Sequence, residues 1–179
     1  MKHTRSLIAI AALACAGSSL TLSAQSGQDT TIASIRGVHN AVKGFVTKAA
    51  AQVPEDKYKY QPTKEVRTMG QLFGHVANAS RMFCAAASGM PAGNAGDAEK
   101  LATKAEIVKA LNDAMSFCDH AMTMITPANA NEVIEVIGQK HSRLGALALN
   151  NAHNYEHYGN IVTYMRINGL VPPSSGGGH

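Results

Sequence analysis

Apolar residues recur at helical spacing in four separate segments of this chain, and this pattern constrains the fold more than any other feature. The first segment runs from Thr30 to Val53. Its apolar positions are Ile32, Ile35, Val38, Val42, Phe45, Val46 and Ala49. These side chains would share one face of a helix, which Pro54 ends. The other segments run from Thr68 to about Ser88, from Thr103 past Met122, and from about His141 to Asn168. Four amphipathic helices predict an all-α four-helix bundle.

Local signals mark the ends of these helices. Thr68-Met69-Gly70-Gln71 and Thr103-Lys104-Ala105-Glu106 both have the form of a capping box, which satisfies free N–H groups at a helix start. Gly169 is the predicted C-cap of the last helix. Before that helix, the β-branched run Val133 to Ile137 predicts a short strand-like segment. We therefore predict one bundle domain over residues 25–171 and a disordered tail over residues 172–179. The pattern leaves the order of the helices around the bundle open.

The first 24 residues have the features of an export signal. Lys2 and Arg5 precede an apolar run, Leu7 to Leu22, which glycine, serine and threonine dilute. This dilution favours a signal peptide over a membrane span, and Leu22-Ser23-Ala24 offers a cleavage site after Ala24. Cys15 leaves a lipid anchor as the alternative. We expect a periplasmic or extracellular protein with no stable membrane span in its mature form.

The mature chain would keep 155 residues, which is enough for one domain with a hydrophobic core. Lysine plus arginine would fall from 16 to 14 while aspartate plus glutamate stays at 12, so the net charge falls from +4 to +2. No basic cluster is interleaved with aromatic residues. The sequence therefore predicts no nucleic-acid partner.

Two cysteines remain in the mature chain, Cys84 and Cys118. Export favours a disulfide between them, whereas two buried thiols acting as small hydrophobic groups are the alternative. Sequence leaves this question open because it does not show how far apart they lie. Cys118-Asp119-His120 lacks the Cys-x-x-Cys-His spacing that covalent haem attachment needs.

The last predicted helix carries an unusual polar stripe. Placing residues about 100° apart puts five side chains on one side of it: Asn150, His153, His157, Asn160 and Tyr164. Burying such groups costs free energy unless each finds a partner, and a metal ion would be one for the two imidazoles. Alternatively, this face is exposed to solvent and the helix packs on Ala146, Leu147, Val162 and Met165.

His75, in the second helix, is a third candidate ligand. Three imidazoles can hold a divalent metal ion and leave one position open for water or substrate. The alternative for His75 is a hydrogen-bonded core histidine. His39 and His141 are expected to be structural or exposed, and His120 to favour the C-terminal dipole of its helix.

Glu156 admits two interpretations. His153-x-x-Glu156-His157 matches the inverted zincin pattern, in which the glutamate is a general base, but the chain is short for such a peptidase and has no second acidic motif at the expected distance. Glu156 lies about 60° around the helix from His153. It is therefore either a group that handles protons beside the metal or a solvated residue at the edge of the helix.

Three stretches together resemble the DinB superfamily: Met69 to Ala77, His153 to Asn160, and Tyr164 to Pro173. They occur in the family's order, and the resemblance covers essentially all of the mature chain. It implies a four-helix bundle, often a homodimer, that holds a divalent metal ion, commonly nickel or zinc. The ligands it implies are His75, His153 and His157. Glu156 stands where many members have a further histidine, and Asn160 where glutamine is frequent, so the wall of the site differs.

The resemblance also implies a range of functions. Some relatives are metal-dependent transferases that activate small thiols, and others have no known activity. Our leading hypothesis is an exported metal-dependent hydrolase or thiol transferase with a small-molecule substrate, in which a bound water or thiolate is the nucleophile. Glu156, Asn160 and Tyr164 are the candidate catalytic residues that would orient it. The alternative is a non-catalytic, dimeric scaffold that binds a metal or another ligand, including non-covalent haem.

Overall fold

The computed structural model describes residues 11–176, with side chains from residue 27 onwards. Within that range the chain forms four α-helices, a two-stranded hairpin and three short 3-10 turns. The helices are α1 (Ala11–Gln52), α2 (Met69–Ser88), α3 (Lys104–Thr123) and α4 (Arg143–Ile167). The strands are β1 (Val133–Val136) and β2 (Gln139–Ser142), and the 3-10 turns are η1 (Glu55–Lys59), η2 (Ala98–Lys100) and η3 (Pro173–Ser175). The predicted helical bundle is confirmed.

Helix α1 extends further towards the N-terminus than the apolar pattern predicts. Its backbone is helical from Ala11, so the predicted cleavage point after Ala24 lies inside it. Residues 1–10 of the predicted signal lie outside the described residues. No helix in the described range is both long and apolar enough to cross a membrane. Export and cleavage stay predictions.

The predicted starts of α2 and α3 agree with the structure because both capping boxes form. Thr68 and Thr103 each accept a hydrogen bond from the backbone three residues later, and Gln71 and Glu106 accept one in return. Such caps satisfy amide groups that have no partner inside the helix. They set where α2 begins and hence where His75 lies in its second turn.

Helix α4 begins at Arg143, two residues after the predicted start, because His141 belongs to a strand. The strand-like segment is half of an antiparallel hairpin in which Val133 is opposite Ser142 and Val136 is opposite Gln139. Ile137 and Gly138 form its turn with positive φ angles of 52° and 69°. Ser142 then caps α4 by accepting a hydrogen bond from the Gly145 amide.

The described part of the predicted tail, residues 172–176, includes a short turn that contacts α4. Pro173–Ser175 forms η3, and the Ser174 amide donates to the Tyr158 hydroxyl at 3.0 Å. Arg166 donates to the Ser175 hydroxyl at 2.8 Å. Residues 177–179 lie outside the described residues.

Two clusters of buried side chains hold the bundle together. The first joins all four helices through residues such as Val46, Phe73, Leu111 and Met165. The second surrounds a disulfide between Cys84 and Cys118, whose Cα atoms are 5.2 Å apart. This bond connects α2 with α3. Of the two alternatives that the sequence leaves open, the structure therefore has the disulfide.

Candidate metal centre

The three histidines implied by the family resemblance meet between α2 and α4. His75 Nε2 lies 3.2 Å from His153 Nε2, which lies 3.1 Å from His157 Nε2. All three candidate ligand atoms lie within 4.8 Å of one another. Two nitrogen ligands of a tetrahedral zinc ion, each about 2.0–2.1 Å from it, would be about 3.3 Å apart. The donor set and its spacing therefore fit a divalent transition metal ion.

His75 is held in position by a carboxylate that the sequence analysis missed. Its Nδ1 lies 2.7 Å from Glu99 Oε1, and Glu99 Oε2 accepts a hydrogen bond from Arg67 Nε at 2.8 Å. Burial raises the pKa of Glu99, but the hydrogen bonds from Arg67 and His75 outweigh it and keep that pKa below its ordinary value. An ionised Glu99 favours the proton on His75 Nδ1 and leaves the Nε2 lone pair facing the other histidines.

His153 and His157 lie one turn apart on α4, and both favour the neutral form. Burial lowers the pKa of His153 and outweighs the effect of the Asn154 side chain, which raises it. Burial and the neighbouring imidazoles lower the pKa of His157 to about 4. Neutral imidazole has a nitrogen lone pair to give to a metal ion. At neutral pH both rings are therefore ready to act as ligands.

The Nδ1 atoms of His153 and His157 have different surroundings. His157 Nδ1 lies 3.4 Å from the amide nitrogen of Asn160. Turning that amide over would present its oxygen to an Nδ1–H group, as a metal-bound His157 requires. His153 Nδ1 is buried and has no hydrogen-bond partner among the described residues. The ring of Phe83 packs beside His153, with the ring centres 5.8 Å apart.

A close approach of two backbones brings Glu99 to His75. A Cβ atom on Gly74 would lie 2.4 Å from the Ala98 carbonyl oxygen, so only glycine lets η2 come this near to α2. Asn78, one turn further along α2, accepts from the Ala98 amide at 3.0 Å and donates to Asp97 at 2.7 Å. A glycine beside a candidate ligand inside a helix was the sequence signal for this approach.

Apart from Asn160, which is exposed, the polar stripe of α4 faces the interior, so the alternative of a solvent-exposed stripe is wrong. Asn150 and His157 are buried, and Tyr164 is only 7% exposed. The amide of Asn150 has no hydrogen-bond partner among the described residues. Asn154, which the sequence analysis did not single out, is also buried and bonds the Ser80 hydroxyl at 3.1 Å.

A cleft of about 730 Å³ reaches one of the three histidines, His157. Its walls are residues 61–67, Gln71 and Leu72 of α2, Glu99 of η2, and three residues of α4. Those three are His157, Asn160 and Tyr164. Two of the three candidate catalytic residues therefore line a cavity that reaches a candidate metal ligand.

The candidate catalytic residues differ in what they can offer. The Tyr164 hydroxyl donates to the Arg67 carbonyl at 3.0 Å, and burial raises its pKa. Its proton is therefore already engaged. Asn160 is exposed at the cleft. Glu156 is exposed and does not line the cleft, although its charge acts on both His153 and His157.

Comparison with known proteins agrees with this fold. The family model of the DinB superfamily matches residues 45–161. A DinB-like protein from Bacillus subtilis aligns with a TM-score of 0.63 at 17% identity, over 77% of this chain and 93% of that one. A DinB-like protein from Bacillus cereus aligns with a TM-score of 0.61 at 13% identity, over 77% and 91% of the two chains. These identities establish similarity of fold alone. No curated protein matches the chain.

Proposed function

Since the chain belongs to the DinB superfamily, we propose that it is a metal-binding protein whose ligands are His75, His153 and His157. The observation that carries this proposal is the convergence of three imidazole nitrogens within 4.8 Å. Imidazole ligands suit the transition metals, which favours nickel or zinc over calcium or magnesium. Three protein ligands would leave a position open for a substrate.

The chemistry that such an ion supplies is polarisation of a substrate atom and stabilisation of negative charge. The protein's own residues prepare the site for it. Glu99 orients His75, Phe83 shields His153, and the exposed amide of Asn160 is available to hold a ligand in the cleft. These roles support a metal-dependent hydrolase or thiol transferase.

Elemental analysis of protein purified without a His-tag or a chelating column tests metal binding. We expect about one nickel or zinc ion per chain, and loss of it in His75→Ala and His157→Ala. His120→Ala is the matched control, because His120 is an exposed histidine on α3. Protein that stays metal-free after incubation with zinc and nickel would contradict the proposal.

The alternative, a module that binds without catalysis, is favoured by the state of the acid–base groups at the cleft. Glu99 is held by Arg67 and His75, and the Tyr164 hydroxyl is held by the Arg67 carbonyl. A screen of thiol, ester and amide substrates separates the two functions. Turnover that depends on metal and is lost in His153→Ala indicates an enzyme, and uniform inactivity of metal-loaded protein indicates the binding module.

We further propose that the protein is exported and acts as a homodimer. The disulfide between Cys84 and Cys118 supports export, because such bonds persist in oxidising compartments. N-terminal sequencing of the mature protein should begin at Gln25, and a start at Met1 or Lys2 would contradict cleavage. The dimer rests on family membership, and light scattering coupled to gel filtration should give twice the mass of one mature chain.

A further inference from the structure

Arg67 forms part of the wall of the cleft that reaches His157. Its Nε donates to Glu99, and its carbonyl accepts from Tyr164, so both ends of the residue are anchored. Its side chain is nevertheless 41% exposed. Within the described part of the chain, no hydrogen bond joins its two terminal nitrogens to another residue. The guanidinium group is therefore fixed at Nε, and its two terminal nitrogens can donate hydrogen bonds to a ligand.

The charged side chains of the cleft balance one another in pairs, so a bound metal ion would leave the cleft positively charged. Glu99 is balanced by Arg67, and Glu65 lies 4.0 Å from Lys64 at the exposed rim. A divalent ion held by three neutral imidazoles would add two positive charges that no carboxylate ligand offsets. Arg67 lies close to this centre, because the Glu99 carboxylate that it holds also contacts His75.

We propose that the cleft binds small substrates that carry a carboxylate, which Arg67 holds while the reacting end of the substrate faces the histidines. The planar guanidinium donates two parallel hydrogen bonds to a carboxylate, which lysine does not. One guanidinium matches a single carboxylate better than a phosphate, which usually gathers several cations. The exposed amide of Asn160 adds a further donor in the wall of the same cleft. This inference rests on the proposed metal site.

Calorimetric titration of zinc-loaded protein tests the proposal with a matched pair of thiols, mercaptobutyrate and mercaptobutyramide. Both present a sulfur to the metal, but only the acid presents a carboxylate to Arg67. Because a hydrogen bond to a charged group contributes about 1.5–3 kcal/mol, we expect the acid to bind about tenfold to a hundredfold more tightly. In Arg67→Gln the two probes should bind with nearly equal affinity.

Two further variants separate a specific contact from general charge. Arg67→Lys keeps the positive charge beside Glu99 but cannot donate two parallel hydrogen bonds to a carboxylate. Its preference for the acid should therefore lie between those of the wild type and Arg67→Gln. Lys64→Gln removes a cation from the same cleft and should keep the full preference, because the Lys64 side chain is 92% exposed.

The zinc content of each variant is measured alongside the affinities. Equal binding of the two probes by the wild type, or an unchanged preference in Arg67→Gln, would overturn the carboxylate proposal while leaving the metal site intact. If Arg67→Gln fails to hold zinc, a reduced preference in zinc-loaded Arg67→Lys supports the proposal and an undiminished one overturns it. Wild-type protein that takes up neither zinc nor nickel would overturn both proposals.

Discussion

At the scale of single residues, Glu99 determines how His75 can act. A carboxylate on Nδ1 fixes the proton there and makes Nε2 the more basic nitrogen. It also joins His75 to Arg67, a residue of the cleft wall. Contacts therefore run from Arg67 in the cleft wall through Glu99 to the candidate ligand His75. A change of Glu99 should alter the affinity for the metal.

We predict that Glu99→Gln weakens zinc affinity about tenfold to a hundredfold, because the neutral amide holds His75 less firmly than the carboxylate does. Competition with a chromophoric chelator measures the effect. Glu65→Gln serves as control, since Glu65 lines the same cleft but makes no hydrogen bond to a histidine. Equal zinc affinity of Glu99→Gln and wild type would show that Glu99 does not support the ligand.

His39 has a structural role and makes stability depend on pH. It lies on α1 and is fully buried, with Nε2 3.0 Å from Oδ1 of Asp119 on α3. Burial lowers its pKa despite this contact with Asp119. Below the ordinary value of 6.5, the unfolded chain therefore binds more protons at His39 than the folded protein does. The contribution of His39 to stability is complete above that pH and is lost as the pH falls below it.

We predict that the free energy of unfolding, measured by urea denaturation, falls between about pH 7.5 and about pH 5. His39→Gln should show a smaller fall over the same range, because glutamine does not take up a proton. The comparison uses the change with pH in each protein, so a general loss of stability in the variant does not affect it. Identical pH dependence in both proteins would exclude His39 as a source.

At the scale of secondary-structure elements, the contact between α2 and η2 builds the site. Gly74 lets the two backbones touch, and Asn78 fastens η2 through Ala98 and Asp97. Glu99 is the next residue of η2 and so lies beside His75. The position of the Glu99 carboxylate therefore depends on Gly74, which has no functional side chain.

We predict that Gly74→Ala destabilises the fold by about 1–3 kcal/mol, because the new methyl group would meet the Ala98 backbone. It should also weaken zinc binding by displacing Glu99. Gly159→Ala is the matched control in α4, where a Cβ atom meets nothing within 4 Å. Alanine there should stabilise the helix by about 0.5–1 kcal/mol. Urea denaturation measures both, and a Gly74→Ala variant as stable as wild type would contradict the close approach.

At the scale of the whole molecule, the disulfide keeps together α2 and α3, two of the elements that contribute to the second core cluster. Cys84 and Cys118 are 34 residues apart in sequence, and the bond joins α2 to α3. Phe83, next to Cys84, lies in the same cluster and also contacts the ring of His153. The covalent link therefore stabilises the part of α2 that packs against the candidate ligands.

We predict that reduction of the disulfide lowers stability by about 4 kcal/mol, the loop-closure value for this separation. For a domain of this size the melting temperature should fall by about 10 °C. Scanning calorimetry with and without a reductant measures the change. The double variant Cys84→Ala with Cys118→Ala should have a melting temperature near that of the reduced protein. Adding the reductant should not change this temperature. Equal melting of the oxidised and reduced wild type would rule out a stabilising bond.

The sequence by itself determined the helices, the capping boxes of α2 and α3, and the pairing of His153 with His157 on one face. These features depend on hydrogen bonds and side-chain periodicity within a few residues, which a linear pattern records directly. The sequence also offered His75 as a third candidate, but its assignment to the same site came from the family resemblance, because no local spacing connects it with α4.

Tertiary structure alone decided which distant groups meet. The contact of Glu99 with His75 spans 24 residues, and the contact of Tyr164 with Arg67 spans 97. Neither separation has a periodicity, since each depends on how whole elements pack. The same packing joined Cys84 to Cys118 and paired β1 with β2, which moved the start of α4 to Arg143. The ligands could be named from sequence, whereas the groups that orient them and the cleft beside them arise only when the helices come together.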